Sequence, residues 1–318
     1  MPECPLPLDA LPKPLHKHVD PKAPAPLRMM GAKGLVPAVT PADLVTMLFV
    51  LSYDGEEGVR GTAAKTAEGL PEKIWGVALR AEEVKGEVLD WLADRFPGKE
   101  AALELLLLNG STPDATVARL APVVSQKLVE IVRQNELRLL RHDEIIRGLC
   151  QNPNALASTL DGACDFCVRN GVNLFDVPQI VEAYKRVHGV DPTAAPPPPA
   201  ETAAALISEY HDELGRERGD ETQGPETAEQ ATKKLTITQR ILKMSVSEKI
   251  KLATLGNKEA RTLLLRDANK LVAMAAVTSP RITEGEIMML ANSKTTNADV
   301  LRYIYGNRDF TRSYILRL

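Results

Sequence analysis

The chain reads as an all-α protein, and three observations carry that reading. Apolar residues recur at helical spacing, as in Leu44, Met47, Leu48 and Leu51. Hydroxyl or amide residues stand just ahead of such stripes, where helices start. No stretch alternates apolar and polar residues as a half-buried strand does. Composition agrees, because aromatics are only 4% of the 318 residues, too few for a sandwich or barrel of β-branched and aromatic strands. With 44% hydrophobic and 25% charged residues, the chain is not wholly disordered either.

The elements follow in order. In Thr40-Pro41-Ala42-Asp43, Thr40 suits an N-cap, Pro41 the first helical position, and Asp43 the positive end of the helix dipole. The same opening recurs at Thr112-Pro113-Asp114, ahead of Val117 and Leu120. Ser279-Pro280 with Thr283…Glu286 reads as a further start, the latter pair with capping-box spacing, and Ser245…Glu248 matches that spacing ahead of Ile250, Leu252 and Leu255.

These starts repeat as a unit: a capped, apolar-striped helix, a turn, then a second helix carrying Arg. Residues 40–66 show it most fully, and 109–121, 152–160, 278–291 and 294–304 supply further first helices. Second helices open alike, in DGEEGVR ending at Arg60, GNKEAR at Arg261 and GNRDFTR at Arg312. The last two openings begin at Gly256 and Gly306, which accommodates two units of about 25 residues, the period of a helical solenoid. Arg60, Arg261 and Arg312 are read as structural repeat positions, and Asp54, Asn257 and Asn307 as turn and cap residues.

On these motifs the chain resembles the HEAT-like and leucine-rich-repeat-variant families of bacterial α-solenoids. The resemblance spans 40–120, 145–180 and 245–318, while 70–105 and 120–145 depart from the pattern. It implies stacked helical pairs that serve as interaction surfaces. Some leucine-rich-repeat-variant members carry an iron–sulfur cluster on a cysteine-rich N-terminal module, and that cysteine cluster is not reproduced here.

Proline placement divides the chain. Ten of the 23 prolines lie in residues 1–41 and six in 192–225. Proline blocks helix interiors and sheet ladders, so both clusters are expected to stay extended. The expected organisation is a disordered tail (1–39), an N-terminal helical-repeat domain (40–190), an acidic disordered linker (191–234) and a basic C-terminal helical-repeat domain (235–318). Inside the linker, 203–216 reads as a short amphipathic helix with Leu206, Tyr210 and Leu214 on one face. Such a helix in such a linker is most often transient and sometimes a docking element.

Charge follows the same division. The formal net charge of −3 is a cancellation: residues 191–232 carry ten acidic and two basic groups, whereas 233–318 carry 16 basic and seven acidic, a net +9. Lys249, Lys251, Lys258, Arg266, Lys270, Arg302 and Arg308 are the candidate partner-binding cations. They attract the chain's own acidic linker in cis, an acidic protein segment in trans, or a phosphate backbone.

No catalytic residue and no cofactor are expected, since no P-loop, dinucleotide, zincin, hydrolase or kinase signature is present. His142-Asp143-Glu144 lies on what reads as a solvated helix face, and His16 and His18 in the tail. Cys164-Asp165-Phe166-Cys167 with Cys150 admits a metal or redox reading, but Leu160, Cys164 and Cys167 also form one apolar helix stripe, and packing is the preferred account. No secretory signal or membrane-length apolar run appears, so a cytoplasmic protein is expected. The apolar run Tyr314, Ile315, Leu316 and Leu318 predicts self-association through the C-terminal end. The expected function is a non-enzymatic interaction module or scaffold; the alternatives are a nucleic-acid-associated regulator and a metal or redox protein.

Overall fold

A computed structural model describes residues 4–37, 39–194, 201–209, 237–293 and 296–311. Every regular element among them is helical, and they carry no strand. Paired, successively packed helices are compatible with a helical-repeat architecture. None of the helices is long and apolar enough to cross a membrane. The chain forms two compact units, residues 1–134 with 147–156, and residues 135–146 with 157–318.

The first unit begins where an extended tail was expected, and the structure corrects that expectation. Residues Leu8–Ala10 and Lys13–His18 form 3-10 turns, and α1 spans Ala25–Ala32. Leu11, Leu15, Val19 and Ala32 are buried. The prolines do not prevent these turns because they occupy the positions that tolerate them. Pro7, Pro12 and Pro24 stand just before each element, and Pro14 and Pro26 lie in first turns whose N–H groups need no helical partner. The two tail histidines are likewise held: His18 is buried with Nδ1 3.0 Å from the Leu27 carbonyl, and His16 Nε2 lies 2.9 Å from that of Leu11.

Helices α2 (Pro41–Leu51), α3 (Glu57–Glu68), α4 (Glu72–Ala78), α5 (Gly86–Ala93), α6 (Glu100–Leu108), α7 (Asp114–Leu120) and α8 (Gln126–Gln134) follow. α2 packs on α4, α4 on α6 and α6 on α8, so alternate helices form one layer. Thr40 caps α2, its Oγ1 accepting the Asp43 N–H at 3.1 Å. Both tryptophans pack in this core: Phe49 meets Trp91 edge-on at 5.7 Å, and Trp75 lies 5.7 Å from Phe96. At Thr112-Pro113 the structure departs from the expected cap. Pro113 takes the N-cap position of α7, while Thr112 Oγ1 donates back to the Leu106 carbonyl at 2.6 Å and closes α6.

Two buried asparagines tie helical pairs together in the same way. Asn109 Nδ2 donates to the carbonyls of Leu79 and Ala81, and Asn152 Nδ2 to those of Ala121 and Val124. Each also accepts, through Oδ1, the N–H two residues on. Carbonyls left open at a helix end thereby gain donors from a segment about 30 residues away.

The second unit contains α9 (Glu136–Arg141), the start of α10 (Asp143–Gln151), α11 (Ala157–Arg169), α12 (Pro178–His188) and α13 (Ala203–Glu209). After these come α14 (helical over 237–243), α15 (Val246–Leu255), α16 (Lys258–Leu264), α17 (Lys270–Val277), α18 (Glu284–Ala291), α19 (Ala298–Gly306) and α20 (Arg308–Thr311). α9, α15, α17 and α19 pack in succession. From α15 to α19 each start carries a side-chain cap: Ser245, Asn257, Asn269, Thr283 and Asn297 accept N–H groups of their first turns. Of the start expected at Ser279-Pro280 with Thr283…Glu286, the second pair caps α18, while Ser279-Pro280 lies in the turn before it with Ser279 buried.

The division expected at the linker is not the one observed. Ser247 N–H donates to the Asn170 carbonyl at 3.0 Å, Ser247 Oγ to that of Leu140 at 3.0 Å, and Lys251 pairs with Asp143. Residues 135–146, 157–190 and 237–293 therefore share one packed body. Two polypeptides, 1–219 and 220–318, produced together, are expected to copurify in equal amounts. Recovery of the two as independent species would show a dividable chain instead. Of the linker itself, 201–209 is ordered as α13 and its lead-in; Tyr210, Leu214 and the rest of 210–234 lie outside the described residues, as do Arg312 and the C-terminal apolar run.

Candidate partner-binding surface

Among the described residues, several cations of the basic segment are paired with carboxylates and do not form one bare face. Lys249 Nζ lies 2.9 Å from Asp267 Oδ2, both side chains being largely buried. Lys251 is 2.7 Å from Asp143 and 3.1 Å from Glu248. Lys270 and Arg302 share Asp299, at 2.9 and 2.8 Å. Lys258 and Arg266 are exposed, the latter with its guanidinium 3.6 Å from the Met289 sulfur, and the Arg308 side chain lies outside the described residues. At least four of the seven candidate cations are thus engaged by carboxylates of their own unit.

Burial works to lower the Lys251 pKa, but the Asp143 hydrogen bond and charge, with Glu248 beside it, outweigh burial and hold it above its ordinary 10.5. A cation whose folded pKa is raised contributes stability in full below its unfolded value and loses it as pH rises through the folded one. The stability difference between wild type and Lys251→Met is therefore expected to shrink as urea midpoints are measured above about pH 10.5.

A cation the sequence reading did not single out, Arg240, makes the contact of greatest interest. It lies on α14 and pairs with Glu201 at 2.6 Å and with Glu209 at 2.6 Å, the first just ahead of α13 and the second at its last described residue. α13 packs on α15, with Ala203 and Leu206 fully buried. The Ala203 N–H donates to Glu248 Oε2 at 2.8 Å, so the carboxylate that holds Lys251 also holds the start of α13. An acidic segment of the chain thus rests on α14 and α15 through one apolar anchor and polar contacts at both ends. Only the net charges of the two segments hinted at this pairing; which residues meet depends on the fold.

The repeat arginines lie in distinct settings. Arg261 is fully buried, its Nε 3.1 Å from Glu286 Oε1 and its Nη2 3.4 Å from Oε2, while Nη1 donates to the Gly256 carbonyl. Asn257 Oδ1 accepts the N–H groups of Glu259 and Ala260. Arg60 Nη1 donates to the carbonyls of Asp54 and Gly55. The buried Asp54 carboxylate instead receives Arg28, which reaches it from α1 and also pairs with Glu56 at 2.8 Å. Asn307 offers its carbonyl to the N–H and hydroxyl of Thr311 in α20.

Beside Arg60 lies an open cleft of about 490 Å³ lined by Tyr53, Glu57, Trp91 and Arg95 among others, in which Arg95 stacks 3.9 Å over the Trp91 ring. Cys164 and Cys167 are fully buried in α11 and Cys150 is half-buried; among the described residues no three His, Cys, Asp or Glu groups converge as a metal site would require. Asp143, expected on a solvated face, is half-buried under Lys251. No protein-family model, no curated protein and no solved structure matches the chain.

Proposed function

We propose that the chain is a non-enzymatic cytoplasmic interaction module, a scaffold or regulator whose HEAT-like helical pairs hold protein segments and whose C-terminal portion selects acidic ones. The carrying observation is the seating of acidic α13 on α14 and α15, with Arg240 gripping Glu201 and Glu209. A surface that holds one acidic helix by paired carboxylates and a leucine anchor has the chemistry to hold another. The internal pairing of Lys249, Lys251, Lys270 and Arg302 favours this over a nucleic-acid reading, because phosphate contacts would have to displace carboxylates already in place.

The test uses the full chain with residues 195–236 replaced by a neutral Gly/Ser segment of equal length. Acidic amphipathic peptides with Glu at both ends of an Ala/Leu helix are expected to bind it. Their Lys-for-Glu counterparts, duplex DNA and single-stranded RNA are expected not to. Nucleic-acid binding with steep salt dependence, together with no retention of the acidic peptides, would reverse the assignment.

A further inference from the structure

We propose that α13 is a built-in competitor, occupying in cis the surface on α14 and α15 that otherwise takes an acidic helix from a protein partner. The inference rests on the interaction-module reading and names both its ligand and its regulation. The docked segment defines the ligand chemistry. Glu201 and Glu209 bracket a short helix whose Ala203 and Leu206, three residues apart, lie on one face and are fully buried. The receiving surface is complementary at three points: Arg240 for the two acids, Glu248 for the Ala203 N–H, and α15 for the leucine. A partner helix therefore needs the pattern Glu-x-Ala-x-x-Leu-x-x-Glu or its close equivalent.

The same contact has the qualities of a cover and not of a permanent part of the core. Among its described residues α13 buries two apolar side chains, Ala203 and Leu206, and its ion pairs are partly open to solvent, Glu209 being 56% exposed. What favours it is the tether, which presents α13 at an effective concentration on the order of mM. A free helix of equal intrinsic affinity must compete against that concentration, whereas a chain whose α13 is released binds without competition.

The experiment measures binding of a labelled synthetic peptide of residues 201–216 to three full-length chains: wild type, Leu206→Asp, and Glu201→Lys/Glu209→Lys. The last changes only exposed or half-exposed linker positions, so it reports release even where the first variant perturbs folding. Both variants are expected to bind the peptide at least about tenfold more tightly than wild type. Adding Arg240→Glu to either is expected to abolish that binding, while the peptide carrying Leu206→Asp does not bind any chain. Equal affinity of all three chains would overturn the competition. Absence of peptide binding by the released chains, when the chain with the Gly/Ser segment still binds other acidic helices, would overturn the assignment of this surface and leave the interaction-module reading standing. If the Gly/Ser chain binds no acidic helix either, that broader reading fails first.

Discussion

Glu286→Ala is expected to destabilise the second unit by about 3–5 kcal/mol, the cost of stripping a buried cation of its carboxylate. Arg261 has no exposed surface, and the Glu286 side chain is 1% exposed, so neither charge is screened by water. Glu286 also closes a capping box on α18: its Oε2 accepts the Thr283 N–H at 2.8 Å while the Thr283 hydroxyl accepts the Glu286 N–H. Loss of that box contributes about 1 kcal/mol of the effect. Glu286→Gln keeps the acceptor for Thr283 but removes the charge, and should fall between wild type and the alanine variant. The double substitution Arg261→Met/Glu286→Leu removes both charges and fills the space, and is expected to return most of the lost stability. Urea unfolding read by far-ultraviolet circular dichroism measures all three. A loss below about 1 kcal/mol for Glu286→Ala would mean that the pair is not buried as observed.

What was legible in the sequence was local. Thr40 with Asp43, Ser245 with Glu248 and Thr283 with Glu286 are separated by three residues, and a helix start is decided within one turn, so these caps and the all-α class could be read directly. Proline content does not keep the start of the chain extended, because the effect of each proline depends on its position relative to a turn. Thr112 shows the same limit at one residue, since a hydroxyl before Pro can serve the helix behind it as well as the helix ahead.

Pairings at long range were not legible. Asn109 with Leu79, Arg28 with Asp54 and Arg240 with Glu201 each span 26 to 39 residues, and no spacing rule names the partner. The candidate cations were found from charge density alone, which cannot tell a bare lysine from one already engaged. Lys249 and Asp267 illustrate this, because their mutual burial follows from how α15 meets the turn after α16. The linker was a harder case still. Its overall composition opposes folding, and the nine residues 201–209 are ordered through contacts with a surface far along the chain.

The joint between 157–190 and 237–293 supplies the second large effect, through Gly171. This residue ends the turn after α11 with φ of +90°, a conformation that favours glycine, and a Cβ built on it would lie 2.3 Å from the Ser245 Cβ and 2.7 Å from its hydroxyl. One residue earlier, the Asn170 carbonyl accepts the Ser247 N–H, so the backbone here cannot withdraw without breaking the contact that seats α15. Gly171→Ala is therefore expected to lower stability by about 2–4 kcal/mol, part from the φ value and the larger part from overpacking. The two parts separate in a double-mutant cycle. Ser245→Gly removes both clashing atoms, and as an N-cap replacement of serine by glycine it should itself cost only a few tenths of a kcal/mol. In Gly171→Ala/Ser245→Gly the overpacking disappears and the φ share remains, so the second substitution is stabilising in the variant and slightly destabilising in the wild type. That reversal of sign is specific to direct contact between the two positions. Additive effects would instead place the cost of Gly171→Ala wholly in the turn and remove the argument that 157–190 and 237–293 meet there.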